Sequence, residues 1–155
     1  MDIVDLLIEE LGAPDVEEDA SIGWWAISGI PKTIEIGDQH IYVNCGVSVN
    51  LDDISSGSTM IADSEPGGTE IYFSLTINFL GQLTTQEIES IYKEHNFYRD
   101  RRAPIELYYK IRNRRFKFNS NDEAVDKLMS YVDSLSDKFL DDLEGLKADL
   151  EELWA

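Results

Sequence analysis

The chain has 155 residues and a formal charge of −18, from 31 acidic and 13 basic side chains. A chain of this length buries about two-thirds of the surface that it exposes when unfolded, so residues 1–155 are expected to form a single domain without a disulfide or a structural metal. The negative charge repels phosphates and anionic lipids, which argues against direct binding to nucleic acid or to a membrane.

The N-terminal part of the chain predicts a short helix followed by a sheet. Residues 1–12 carry apolar side chains at helical spacing. The sheet is expected to span residues 22–118, because residues 41–50 and 70–80 alternate apolar with polar side chains. The Ser- and Gly-containing residues 51–68 are predicted to be a long mobile connection.

The C-terminal part predicts two helices and a further strand. A capping-box pattern at residues 84–87 begins a helix over residues 85–96, which is inserted in the sheet. Alternation predicts a strand over residues 105–112, and a second capping box begins a helix over residues 121–153. The predicted class is therefore α+β, an antiparallel sheet with helices mainly on one face and a long C-terminal helix.

The apolar stripe of the C-terminal helix is longer than a small sheet can cover. We therefore expect the part beyond Gly145 to project, to bend or to pack on another chain, and self-association as a homodimer is the simplest solution. The partner-binding candidates of this part are Leu146, Leu150, Leu153 and Trp154. The alternative is a bend near Gly145 that returns the helix to its own domain.

Positive charge is concentrated in one short segment. Residues 99–117 hold eight of the 13 bases and only two acids. The segment either pairs internally with acidic helices or forms a site for an acidic ligand, and both interpretations stay open. The basic residues are Arg99, Arg101, Arg102, Lys110, Arg112, Arg114, Arg115 and Lys117.

No catalytic or cofactor-binding pattern is present in the sequence. The only histidines are His40 and His95, neither of which has a catalytic partner nearby in sequence, and Cys45 lies on the apolar side of a predicted strand. We therefore expect no enzyme activity, no cofactor and no metal. A single cysteine, no basic start before an apolar run and no stretch of roughly 20 apolar residues favour a cytoplasmic protein without a cleaved signal or a membrane span.

The pair Trp24-Trp25 is a second candidate for partner binding. Adjacent residues of a strand point to opposite faces, so if one indole points into the core, the other points away from it. The other is covered by a helix or loop, or it anchors an interface, where tryptophan is enriched.

The order of elements over residues 71–145 resembles the YbjN-like proteins, which are similar in fold to the small acidic chaperones of type III secretion. The segments that carry the resemblance are the alternating strand over 71–79, the helix start Leu83-Thr84-Thr85-Gln86-Glu87-Ile88, its end at Glu94-His95-Asn96-Phe97, the strand over 105–111 and the helix over 128–139. The resemblance implies a non-catalytic partner-binding domain that is often dimeric.

Three classes of function remain after these exclusions. The leading hypothesis is a cytoplasmic protein-binding module that sequesters or escorts another protein. The alternative is an acidic inhibitor that imitates nucleic acid and blocks a nucleic-acid-binding protein, although eight clustered bases are of no use to such a protein. A third class, an enzyme with a carboxylate dyad, has no residue pair to support it.

Overall fold

Four helices and nine strands lie along the residues that the computed structural model describes, which are 3–11, 15–16, 22–27, 29–62, 68–82, 85–100, 102 and 104–154. The helices are α1 (Ile3–Leu11), α2 (Leu51–Ser56), α3 (Thr85–Glu94) and α4 (Asn121–Trp154), with a short 3-10 turn at Leu80–Gln82. The strands are β1 (Asp15–Val16), β2 (Ile22–Ala26), β3 (Thr33–Ile36), β4 (Gln39–Asn50), β5 (Ser58–Ala62), β6 (Thr69–Ile77), β7 (Phe97–Arg99), β8 (Glu106–Tyr109) and β9 (Arg114–Lys117). The predicted α+β class, an antiparallel sheet with a long C-terminal helix, is confirmed.

The chain divides into two compact units. Unit 1 comprises Met1–Gly29, Cys45–Tyr72 and Ile111–Leu135, and unit 2 comprises Ile30–Asn44, Phe73–Lys110 and Ser136–Ala155. Strands β4 and β6 and helix α4 each contribute residues to both units.

Unit 1 contains antiparallel strand pairs and one parallel pair. Strand β2 pairs antiparallel with the second half of β4, and β5 pairs antiparallel with β9. Strand β5 also pairs with the first residues of β6 in parallel, with Ile61 opposite Thr69. The Thr69 hydroxyl is buried and lies 2.9 Å from the Thr59 hydroxyl, so the two groups satisfy each other inside the unit.

The predicted mobile connection over residues 51–68 is wrong in its first part, which forms α2 and β5. Helix α2 begins because the Asn50 side chain accepts hydrogen bonds from the amides of Asp52 and Asp53 at 3.0 and 3.1 Å. It ends because Gly57 adopts the left-handed region, at a φ of 97°, and its amide closes the last turn. The same polar residues that favour a loop in composition therefore serve as helix caps.

Unit 2 packs its strands around an aromatic cluster. Strands β6, β8 and β7 pair antiparallel in that order, and β3 forms a hairpin with the first half of β4. The Phe139 ring from α4 stacks on Phe73 with centroids 4.5 Å apart, and it meets Phe97 and Tyr109 edge-on. Phe73, Phe97 and Tyr109 come from β6, β7 and β8, so α4 covers an apolar face that these three strands share in unit 2.

The expectation that α4 projects beyond Gly145 is wrong. The helix runs without a break from Asn121 to Trp154, and the side chains of Leu146 and Leu150 are fully buried in the chain itself. The Trp154 ring lies 4.8 Å from the Phe79 ring, and Leu153 is half-buried. Leu146 and Leu150 therefore complete the core of unit 2 and need no second chain to remove them from water, and Trp154 packs on the same unit.

Two further differences concern the middle of the chain. The predicted helix over residues 85–96 ends at Glu94, because Asn96 takes a left-handed φ of 66° and the chain turns there into β7, a strand that the pattern did not predict. The predicted strand over 105–112 is shorter, since β8 covers four residues and Ile105 is exposed.

Candidate functional site

Strand β9 carries a run of exposed bases in unit 1. It pairs with β5, so that Met60 lies opposite Arg115 and Ile61 opposite Arg114. Of the strands that the structure describes, only β5 pairs with β9, which leaves the second edge of β9 open. We use the name arginine–aromatic surface for the exposed or half-exposed side chains on both faces of β9 and next to it, which are Arg112, Arg114, Arg115, Phe116, Lys117 and Tyr131.

The Arg114 guanidinium is held against two aromatic rings. Its central carbon lies 4.8 Å from the centroid of Phe116 and 5.5 Å from that of Tyr131, and the two rings meet edge-on at 5.2 Å. Burial raises the pKa of Tyr131, and the positive charge of Arg114 partly opposes that rise. When the flat face of a guanidinium stacks on an aromatic ring, its N–H groups point outward in the plane of the guanidinium. There they can bind a carboxylate.

The arginines of this surface form no ion pair within the described part of the chain. The ion pairs there join Lys93 to Glu89, His95 to Asp149, Arg102 to Asp100, Lys127 to Glu123, Lys147 to Glu151 and His40 to Glu35. The acidic helix α4 thus supplies no described carboxylate to Arg112, Arg114 or Arg115. The interpretation of the basic segment as a site for an acidic ligand stays a prediction.

The remaining arginines of the basic segment belong to unit 2. Arg102 is 91% exposed, and its guanidinium and amide bind the side chain of Asp100, which lowers the pKa of that carboxyl. Arg99 is a half-buried residue of β7 opposite Leu107, and Arg101 lies outside the described residues. The pairing of Arg102 is local to its loop and does not involve an acidic helix.

The tryptophan pair lies in β2, with Trp24 opposite Ser48 and Trp25 opposite Val47. Their side chains lie outside the described part of the structure, so the prediction that one indole faces solvent stays a prediction.

A histidine–aspartate pair in unit 2 was not predicted from the sequence. The Nε2 atom of His95 lies 2.7 Å from Oδ2 of Asp149, a residue 54 positions further along the chain. The imidazole ring rests on Gly145, where an added Cβ would lie 2.7 Å from Cε1 and 2.8 Å from Nδ1 of the ring. Glycine is unfavourable inside a helix unless another group needs the space. Gly145 within the long predicted helix was therefore the sequence signal that another side chain packs closely there.

The same face of α4 binds a second polar group. The Tyr109 hydroxyl donates a hydrogen bond to Asp142, and burial together with this carboxylate raises the pKa of Tyr109. Asp142, Gly145 and Asp149 are spaced so that all three face the end of α3 and strand β8. They fasten α4 to the remainder of unit 2.

Glu94, His95 and Asp149 each offer one ligand atom, and these atoms lie within 4.8 Å of one another. One imidazole and two carboxylates suit a divalent transition metal. A hydrogen bond between His95 and Asp149 at 2.7 Å explains the observed geometry equally well.

The other residues considered for catalysis are dispersed. His40 lies 3.8 Å from Glu35 with 48% of its side chain exposed. The Cys45 thiol is half-buried, and its Sγ lies 3.9 Å from the carbonyl of Ile27. The absence of enzyme activity stays a prediction.

Comparison with protein-family models, with curated proteins and with solved structures found no match. The resemblance to the YbjN-like proteins therefore stays a prediction. Of the helices that the structure describes, none is both long enough and apolar enough to cross a membrane.

Proposed function

We propose that this chain is a non-catalytic, cytoplasmic protein-binding module that holds an acidic segment of another protein on the arginine–aromatic surface. The observation that carries the proposal is the exposure of Arg112, Arg114 and Arg115 without an ion pair among the described residues, in a chain of charge −18. Sequestering or escorting the partner is the role that the YbjN-like resemblance implies.

Charge complementarity defines the partner. An acidic partner is repelled by most of this chain and attracted by the run of bases on β9, so the electrostatic term both selects and orients it. Arginine and tyrosine are enriched among residues that dominate binding energy, and here Arg114 stacks on Tyr131. Ordered rings beneath a guanidinium lower the entropy cost of binding, because the Arg114 side chain is already positioned.

The proposal is tested with a fluorescein-labelled peptide of about ten residues in which Glu alternates with Val, titrated with the chain in a fluorescence polarisation assay. The combined substitution of Arg114→Ala and Arg115→Ala should weaken binding about tenfold, and added salt should weaken binding to the unsubstituted chain. The matched control combines Arg102→Ala with Lys110→Ala, which removes the same charge from exposed residues of unit 2. Equal weakening in both variants, or no binding by the unsubstituted chain, would contradict the proposal.

A second candidate is the acidic inhibitor that imitates nucleic acid. Exposed carboxylates follow one face of α4, at Asp122, Asp126, Asp133, Asp137, Asp141, Glu144 and Glu151. Over residues 122–151 they supply one charge about every 6 Å, whereas one DNA strand carries a charge about every 3.4 Å. The stripe is thus about half as dense as one strand, which is why this function ranks second. Release of DNA-binding proteins from immobilised DNA by the chain, lost on Asp133→Asn with Asp137→Asn, would favour it.

A further inference from the structure

Along β9, successive residues direct their backbone groups alternately toward β5 and toward the open edge, and we call this alternation the parity of β9. One contact beyond the end of the strand determines it. The amide of Phe118 donates to the carbonyl of Gly57 at 3.0 Å, which extends the pairing of β9 with β5 by one position. In an antiparallel ladder, pairs that exchange hydrogen bonds alternate with pairs that do not. Arg114 and Phe116 therefore bond to β5, whereas the amide and carbonyl groups of Arg115 and Lys117 face the open edge.

One contact from α4 agrees with this parity. The Lys127 ammonium donates to the carbonyl of Lys117 at 2.7 Å. The Tyr131 hydroxyl donates to the carbonyl of Arg112 at 3.3 Å, but Arg112 precedes β9 and this contact does not bear on the parity of the strand. Side chains of α4 could not reach the Lys117 carbonyl if it pointed into the ladder with β5. None of the described contacts reaches the amide or the carbonyl of Arg115, so this residue offers both backbone groups to a further strand.

The side chains of β9 define what an added strand must carry. Arg114 and Phe116 lie on the face that holds Tyr131, and alternation places the exposed Arg115 and Lys117 on the opposite face. Directly opposite residues of an antiparallel pair share a face, so an added strand needs acids opposite Arg115 and Lys117 and an apolar residue opposite Phe116. The same bases disfavour a second copy of β9 at this edge, because like charges would face each other.

We propose that an extended segment in which acidic and apolar residues alternate adds as an antiparallel strand to the open edge of β9. This inference rests on the proposed function and specifies its binding mode. Arg115 exchanges two backbone hydrogen bonds with an acidic residue of the segment, and the arginine–aromatic surface supplies the side-chain contacts. Binding of the segment by charge alone, and pairing of β9 with a second copy of this chain, are the competing outcomes.

Two methylated forms of the Glu–Val peptide separate strand addition from charge attraction. N-methylation of the Glu amides removes the donors that face β9, whereas N-methylation of the Val amides removes donors that face away and leaves charge and methyl number equal. We expect the first form to bind about tenfold more weakly than the second, as the loss of backbone hydrogen bonds requires. Equal affinity of the two forms would overturn strand addition while leaving the proposed function intact, and no binding of any form would overturn both.

A proline substitution tests the same geometry on the protein. Arg115→Pro removes an amide on the open edge, so the chain should fold as well as Arg115→Ala but bind the peptide about fivefold more weakly. Arg114→Pro removes an amide of the β5 ladder, and it should be clearly less stable to urea than Arg115→Pro. Equal destabilisation by both prolines would refute the parity of β9. A dimer of the unsubstituted chain that Arg115→Pro dissociates would show that a second copy occupies the edge.

Discussion

The contact between His95 and Gly145 gives the sharpest test of how α4 is held in unit 2. Substitution of Gly145→Ala would favour the helix by about 1 kcal/mol from intrinsic propensity alone. The new Cβ would, however, lie 2.7 Å from the ring of His95, well inside the 3.4 Å at which ordinary contact begins. Displacing the ring costs about 1–3 kcal/mol as overpacking, and the hydrogen bond to Asp149 contributes about another 1 kcal/mol.

The clash therefore outweighs the propensity, and Gly145→Ala should lower the free energy of unfolding by about 1–3 kcal/mol. Urea denaturation followed by circular dichroism measures this difference. The matched control is the same substitution in a His95→Ala background, where the ring is absent and alanine should stabilise by up to about 1 kcal/mol. Stabilisation by Gly145→Ala in both backgrounds would refute the packing of His95 on α4.

Three further outcomes follow from the packing of the chain. Leu146→Ala and Leu150→Ala should each destabilise by about 2–5 kcal/mol without changing the sedimentation coefficient, because both leucines are buried within unit 2; a shift from dimer to folded monomer would contradict this. The pKa of Tyr109 is raised on folding, so the stabilising contribution of its hydroxyl is present below about pH 10 and is lost as pH rises toward the folded pKa. Between about pH 9 and about pH 11, Tyr109→Phe should therefore lose less stability than the unsubstituted chain, as urea titrations measure it. Asn50→Ala should cost about 1 kcal/mol through loss of the α2 cap, with a greater loss of amide protection at Asp52 and Asp53 than elsewhere in hydrogen exchange; unchanged protection there would count against the cap.

The sequence by itself determined the elements whose pattern is local. Alternation over 70–80 predicted β6, and capping boxes with spaced apolar residues predicted α3 and α4 to within about two residues at most ends. The concentration of bases over residues 99–117 was equally visible. These features depend on residues that are close in the chain, because the period of side-chain direction is a property of the strand or helix alone.

The tertiary structure alone decided what each pattern faces. Leu146 and Leu150 form the same apolar stripe whether they are covered by their own chain or by another, and only the position of the unit 2 strands shows that they are buried. The contacts of His95 with Asp149 and of Arg114 with Tyr131 join separate elements, so no local spacing encodes them. The open edge of β9 likewise follows from which strand pairs with it, because burial and edge position are set by long-range pairing and not by the periodicity of one segment.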